Sequence, residues 1–283
     1  MRGFGTLISV AELSDCLRDE NLSLFDCRHD LAEPEAGARA YAGDHIPGAQ
    51  FLHLDQDLSG RLTGRNGRHP LPDPQALATC LAECGVQNES QVVAYDDSGG
   101  IFAARLWWLL RWLGHESVAV MDGGLSAWRL AGMRTTSART VVQPSHFGYR
   151  LRPYAVDVEY VAAHLHAVDA LLVDARSPDR FRGENETLDP VAGHIPGAAN
   201  RFFKNNLGEN GRFKPAELLR EEYQSFLGPR DPRTVVHTCG SGVTACHNLL
   251  AMEIAGLGGS RLYPGSWSEW CSDALRPVAR GPE

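Results

Sequence analysis

No stretch of this chain approaches the ~18 uninterrupted apolar residues of a membrane-spanning helix. The longest candidate, Ile101 to Leu113, is interrupted by Arg105 and Arg111. The opening residues, Met1-Arg-Gly-Phe-Gly-Thr-Leu-Ile-Ser, lack the extended apolar core of a secretory signal, so a cytoplasmic protein is expected. Cysteine is sparse and odd in number, with seven residues at positions 16, 27, 80, 84, 239, 246 and 271, which excludes a secreted disulfide framework. There is no Cys-x-x-Cys, and Cys239, Cys246 and His247 fit no common zinc spacing, so neither metal nor cofactor is expected. Lys and Arg number 27 against 35 Asp and Glu; the net charge of −8 argues against a nucleic-acid surface. What is present is ordinary for a globular chain, 43% apolar and 22% charged, and 283 residues suggest two domains more readily than one.

The chain repeats itself. Asp26-Cys-Arg returns as Asp174-Ala-Arg, and Asp44-His-Ile-Pro-Gly-Ala as Gly193-His-Ile-Pro-Gly-Ala. Val92-Val-Ala-Tyr-Asp96 aligns with Val235-Val-His-Thr-Cys239, and Asp122-Gly-Gly-Leu-Ser-Ala-Trp128 with Pro264-Gly-Ser-Trp-Ser-Glu-Trp270. Four anchors in one order at a nearly constant offset indicate a duplicated domain. The expected bounds are 1–135 for the first domain, 136–155 for a polar linker without apolar periodicity, and 156–283 for the second.

Each copy alternates strand-like and helix-like segments. In the first, Ser9-Val-Ala-Glu12 is a capping box, and strands are expected at Ser23 to Asp26, Gln91 to Tyr95 and Ser117 to Met121. Helices are expected at Pro74 to Cys84, stopped by Gly85, and at Ile101 to Leu113, stopped by Gly114. The second copy offers strands at Leu171 to Asp174, Thr234 to Thr238 and Ser260 to Tyr263, with helices at Pro215 to Leu227 and Val243 to Ala255. This alternation predicts an α/β fold, a mainly parallel sheet in each domain with helices on both faces. Trp107, Trp108 and Trp112 on one helix read as core, and so do Cys80 and Cys84 on another.

Ligands of such sheets bind beyond the carboxyl ends of the strands. There the second copy carries Cys239-Gly-Ser-Gly-Val-Thr-Ala, between a β-branched strand and a helix start. Unpaired N–H groups and the helix dipole at that junction stabilise a thiolate, and Gly240 and Gly242 let the backbone curl around one sulfur. The first copy has Asp96 at this position, a carboxylate suited to a structural ion and not to sulfur chemistry. The first domain is therefore expected to be catalytically inactive.

Together these residues resemble the tandem-domain rhodanese family of sulfurtransferases. The resemblance rests on His45-Ile-Pro-Gly-Ala, Asp122-Gly-Gly-Leu-Ser-Ala-Trp, Asp174-Ala-Arg with Arg180-Phe-Arg-Gly, His194-Ile-Pro-Gly-Ala and the Cys239 loop, and it covers nearly the whole chain. It implies two α/β domains with five-stranded parallel sheets. It also implies a reaction in which Cys239 takes a sulfane sulfur as a persulfide and passes it to a thiol, such as thioredoxin or glutathione, or to cyanide. The neutral Gly240-Ser241 pair resembles the 3-mercaptopyruvate sulfurtransferases, whereas thiosulfate enzymes carry basic residues there. A thiosulfate:cyanide enzyme and a non-enzymatic persulfide carrier or regulatory module are the alternatives.

The same resemblance assigns candidate roles. N–H groups of Gly240, Ser241, Gly242, Val243 and Thr244 would hold the persulfide charge, and the Ser241 hydroxyl would donate to substrate or merely suit a tight turn. Arg180 matches the family's substrate arginine, although a plain salt bridge is its bland alternative. Where such enzymes place a second arginine this chain has Thr187, so either one arginine suffices, another such as Arg182 or Arg201 substitutes, or the preferred donor is different. His45 matches a position proposed to relay protons through the loop serine; its twin His194 favours a structural role for both. Cys246 could resolve an oxidised Cys239 or simply pack. A cysteine phosphatase needs arginine six positions after Cys239 and finds Ala245.

Overall fold

The computed structural model describes residues 3–165, 167 and 170–282. They form two compact units. The first contains the chain up to Gly60, Pro72–Arg152 and Glu209–Phe213; the second contains Arg61–Leu71, Pro153–Gly208 and the chain from Lys214 onward. Residues 136–155, expected as a linker, are divided between them after Arg152. Up to that point they are built into the first unit: Ser145 N–H donates to Ala82 O, Arg150 N–H to Leu113 O and Arg152 N–H to Trp112 O. Phe147 is buried there beside the His115 ring.

In the first unit, β1 (Leu7–Ile8), β2 (Leu22–Asp26), β3 (Ala49–Phe51), β4 (Gln91–Tyr95) and β5 (Val118–Met121) form a five-stranded sheet. Its order is β1-β5-β4-β2-β3 and every pairing is parallel. Alternate residues Val93, Tyr95, Ala119 and Met121 pack with α1 (Val10–Cys16) and α5 (Gly124–Leu130) in one core. Ser9 and Glu12 close the capping box that starts α1. Two further helices are α2 (Ala36–Gly43) and α3 (Pro74–Glu83). Against β4 and β5 also packs α4 (Ala103–Trp112), with Trp107, Trp108 and Trp112 buried. This helix begins two residues later than expected. Asp96 takes the N–H groups of Phe102 and Ala103, and the chain before them curls around its carboxylate.

The second unit repeats the plan in the order β7-β6-β8-β9, again all parallel. Its strands are β6 (Leu171–Asp174), β7 (Ala199–Asn200), β8 (Val235–Thr238) and β9 (Arg261–Leu262). Four strands stand where five were expected. The fifth place is a single parallel bridge between Ala155 and Leu262, made by Val156 N–H to Leu262 O and Leu262 N–H to Tyr154 O. Pro153 brings no N–H on one side, and Asp157 already caps α6 (Val158–Ala163) on the other, so the extended segment is too short to be a strand. Helices α6, α7 (Pro178–Arg182) and α10 (Ser266–Trp270) share a core with Val236, Tyr263, Trp267 and Trp270. Helix α9 (Thr244–Ile254) packs on β8 and β9, and α8 (Ala216–Leu227) packs on α9. Among the described residues no helix is long and apolar enough to cross a membrane.

Candidate active site

Strand β8 ends at Thr238, and Cys239 follows at 1% exposure. Its Sγ accepts the Gly242 N–H at 3.1 Å, while its own N–H donates to Ser266 Oγ at 3.1 Å. Its carbonyl accepts from Trp267 N–H (3.0 Å) and that of Gly240 from Ser268 N–H (2.9 Å). The turn Pro264-Gly-Ser-Trp-Ser thus clamps the cysteine's backbone. Gly242 sits at φ +77°, and a Cβ there would lie 2.3 Å from Pro264 O, so this position needs glycine on both counts. Val243 caps α9 and Thr244 begins it, placing the cysteine loop directly before a helix N-terminus. Cys246, fully buried on α9, donates its thiol hydrogen to Gly242 O at 3.2 Å.

Ser241 is buried, with its Oγ 2.7 Å from His69 Nδ1. Nothing in the sequence pattern marked His69. It lies in Arg61–Leu71, which reads as part of the first copy but belongs to the second unit. The signal available was the irregular run from Leu52 to Asp73, without helix or strand and without a counterpart among the repeat anchors. Long structureless segments in compact proteins are commonly functional.

His45 belongs to the first unit. Its Nδ1 is 2.7 Å from Tyr41 O and its Nε2 3.2 Å from Ala138 O, and the ring stacks on Tyr41. His194 in the second unit repeats the arrangement, stacked on Phe181 with Nδ1 2.8 Å from Phe181 O. Both histidines tie a helix carbonyl to the His-Ile-Pro-Gly turn.

The arginines separate clearly. Arg180 on α7 donates from Nε and Nη2 to Glu186 and lies 3.5 Å from Asp189 Oδ2. Arg182 is paired with Glu184 at the surface. Arg201 is paired with Glu222 and stacked on Tyr223. The arginine that accompanies Arg180 at Gly240 is Arg68, next to His69. A Cβ added to Gly240 would lie 2.9 Å from Arg68 Nη2 and 3.6 Å from Arg180 Nη2. Asp189 joins both guanidiniums. Burial pushes the Asp189 pKa up against the pull of Arg68, whereas for Glu186 the pairing with Arg180 and two N–H donors outweighs burial and holds it below the usual carboxylate range.

In the first unit, Asp96 occupies the corresponding strand end and accepts N–H groups from Ser98, Gly100, Phe102 and Ala103 at 2.8–3.0 Å. Burial pushes its pKa up, and those four donors oppose the shift. Elsewhere in the first unit, ligand atoms of His29, His53 and Asp55 lie within 4.8 Å of one another. His53 Nδ1 accepts the Asp55 N–H, which leaves Nε2 as the protonated nitrogen of a neutral ring and makes this a poor metal site.

The rhodanese-like domain profile matches residues 9–131 and 157–273. A Pseudomonas aeruginosa protein named "Probable 3-mercaptopyruvate sulfurtransferase" is 48% identical over 278 residues, covering 97% of this chain and 98% of the relative. The thiosulfate sulfurtransferase of Cricetulus griseus is 32% identical, over 96% of this chain and 93% of the relative. The solved structure of SseA from Escherichia coli, a 3-mercaptopyruvate sulfotransferase with the rhodanese fold, superposes with a TM-score of 0.81 at 30% identity, covering 93% of this chain and 99% of that one. With both repeats matched and relatives of this similarity along nearly its full length, the chain belongs to the rhodanese family, as a tandem of two rhodanese-like domains.

Proposed function

We propose that this protein is a sulfurtransferase that moves sulfane sulfur from 3-mercaptopyruvate through a Cys239 persulfide to a thiol or cyanide. The observation that carries the reading is the junction of the Cys239 loop, where Sγ meets the Gly242 N–H and the adjacent Ser241 Oγ meets His69 Nδ1. The Cys239 thiolate attacks the donor's sulfur. The carbon–sulfur bond breaks and its electron pair passes into the enolate of pyruvate. The proton originally on the donor thiol is returned to that carbon by way of Ser241 and His69, so pyruvate leaves and the persulfide stays anionic. The N–H groups of the loop and the start of α9 stabilise that charge.

His69, and not His45, fits the relay, because His45 is engaged by backbone carbonyls in the first unit. Arg180 supplies a guanidinium for the donor carboxylate. Cyanide or a thiolate then attacks the outer sulfur, forming thiocyanate or a new persulfide and restoring the Cys239 thiolate. Thioredoxin and glutathione have the thiol chemistry this step requires. The first unit, with Asp96 saturated by N–H donors, takes no part in sulfur chemistry.

The donor choice follows from Gly240 and Ser241, which put no cation on the loop itself. Steady-state assays with 3-mercaptopyruvate and thiosulfate, cyanide as acceptor, test it. The expected result is a higher kcat/KM for 3-mercaptopyruvate, with all transfer lost in Cys239→Ala. An equal or higher value for thiosulfate reverses the donor assignment. Stoichiometric sulfur uptake without turnover identifies a carrier instead.

A further inference from the structure

Each unit builds the same frame behind its strand-end loop. In the second, Arg176 grips Asp174 through Nε and Nη2 at 2.7–3.1 Å, and its Nη2 also donates to Gly193 O at 2.8 Å. In the first, Arg28 grips Asp26 at 2.6–3.0 Å and donates to Asp44 O at 2.7 Å. The backbone bond to the loop is shared as well. Trp267 N–H donates to Cys239 O at 3.0 Å, and Leu125, which holds the same place in the repeat, donates to Asp96 O at 2.9 Å. The side chains at that place differ. The Trp267 indole is buried, its Nε1 donates to Val191 O at 2.8 Å, and the Arg176 guanidinium lies over its face with Cζ 5.0 Å from the ring centroid. Leucine offers neither a π face nor a ring N–H.

The two loops need different support. Asp96 gathers four N–H groups on its carboxylate, which holds its loop from inside. A cysteine that accepts and releases sulfur cannot fill its loop in that way. Its carbonyl has to be fixed from outside, because the plane of the Cys239–Gly240 peptide sets where the following N–H groups point, and glycine adds little restraint of its own. We propose that Arg176 and Trp267 are a positioning pair: the guanidinium locks the indole, so that the Trp267 N–H fixes the Cys239 carbonyl and the loop stays aimed at the sulfur. This rests on the sulfurtransferase reading and names the residues that hold its nucleophile. Burial works against the Arg176 charge, yet Asp174, Glu186 and the Cys239 sulfur together raise its pKa, so the ring always faces a full cation. With side chains 1% and 0% exposed, neither residue is open to a donor, and the effect is the same whichever donor is used.

The test is a defect in the full-length protein that follows the nucleophile and not the donor. Trp267→Leu gives the cysteine copy the residue of the aspartate copy. Per folded protein, kcat with 3-mercaptopyruvate and with thiosulfate should fall by the same factor, roughly tenfold, with each KM within about twofold of wild type. Trp267→Phe keeps a ring face for Arg176 and should recover most of the rate. A tryptophan fluorinated on its benzo ring, placed at position 267, keeps the shape and withdraws charge from the face; persulfide formation should slow about threefold. That measurement decides the matter if Trp267→Leu does not fold. A soluble Trp267→Leu at the wild-type rate, a loss confined to one donor, or Trp267→Phe no faster than Trp267→Leu overturns the proposal while Cys239-dependent transfer stands. Where Trp267→Leu does not fold, a fluorinated protein at the wild-type rate does the same. Wild-type protein that turns over neither donor overturns this proposal and the sulfurtransferase reading together.

Discussion

Ser266 Oγ accepts the N–H of Cys239 at 3.1 Å from a backbone held at φ 54°, and among the described residues it is the non-glycine residue with positive φ. The equivalent residue of the first repeat is Gly124, at φ +59°, where a Cβ would lie 2.2 Å from Asp96 O. The copy with cysteine accepts a strained serine where the copy with aspartate uses glycine. The hydroxyl also donates to Tyr263 O, so it anchors the nucleophile's backbone to the end of the neighbouring strand segment. Strain of this kind costs about 1–3 kcal/mol and persists where surrounding contacts enforce it.

Ser266→Gly should separate anchoring from stability. It relieves the backbone strain and loses the hydroxyl contacts, so the melting temperature should stay within a few degrees of wild type. Persulfide formation at Cys239, followed by rapid quench and mass spectrometry, should slow by roughly tenfold or more because the sulfur is less well positioned. Ser266→Ala keeps the strain and strands a buried N–H; it should lose about 1–3 kcal/mol of stability. A Ser266→Gly protein with the wild-type rate of persulfide formation shows that the anchor is purely structural.

The relay predicts a donor-dependent defect. With 3-mercaptopyruvate the leaving group is a carbon enolate that must gain a proton, whereas thiosulfate releases sulfite, which needs none. His69→Gln and Ser241→Ala should therefore lower kcat for 3-mercaptopyruvate by about 10²–10³-fold. The change with thiosulfate should be much smaller. His45→Gln should change neither kcat selectively, since its ring binds Tyr41 and Ala138 carbonyls. Equal losses with both donors in the His69 variant remove the proton relay from the mechanism.

Much of this was legible because the determinants were local. The parallel sheets, the cysteine at the end of β8 and the helix behind it follow from β-branched runs, glycine punctuation and the internal repeat. The fifth strand of the second sheet was not legible. A duplicated pattern suggests equal sheets, but Pro153 and the Asp157 cap leave only three residues for it. Arg68 and His69 were missed for a different reason. Nothing periodic marks an irregular segment, and its place in the second unit is fixed by pairings distant in sequence, Arg68 to Asp189 and His69 to Ser241. The pairing of Arg180 with buried Glu186 was equally hidden, since ion pairs between loops leave no periodic trace.

Gly242→Ala should be among the most damaging small substitutions in the loop. The residue is at φ +77°, and the new methyl group would meet the backbone oxygen of Pro264 at 2.3 Å, which no side-chain rotation relieves. The turn must shift, and with it the N–H that reaches Cys239 Sγ. A loss of about 2–4 kcal/mol is expected, together with transfer reduced to near background. Thermal denaturation and a donor assay on the same sample check both; a melting temperature equal to wild type contradicts the steric account.

The acid side of the stability curve should carry the signature of His237. This residue lies on β8 with its ring fully buried and Nε2 3.1 Å from Met252 Sδ, and burial holds its pKa down to about 3. An unfolded histidine titrates near 6.5. The depressed folded value means that the unfolded state binds the extra proton first, so the contribution is complete above about pH 6.5 and is lost as pH falls toward 3. Each pH unit within that window costs about 1.4 kcal/mol for one such group, or about 2 kcal/mol between pH 6.5 and 5. His115, in the first unit, is shifted in the same direction by burial and adds to the slope. His237→Leu removes the proton-binding group from an apolar site, so denaturant titrations at pH 5 and pH 7 should differ less than in wild type by roughly the His237 share. The same pH dependence in variant and wild type places the acid sensitivity on other groups.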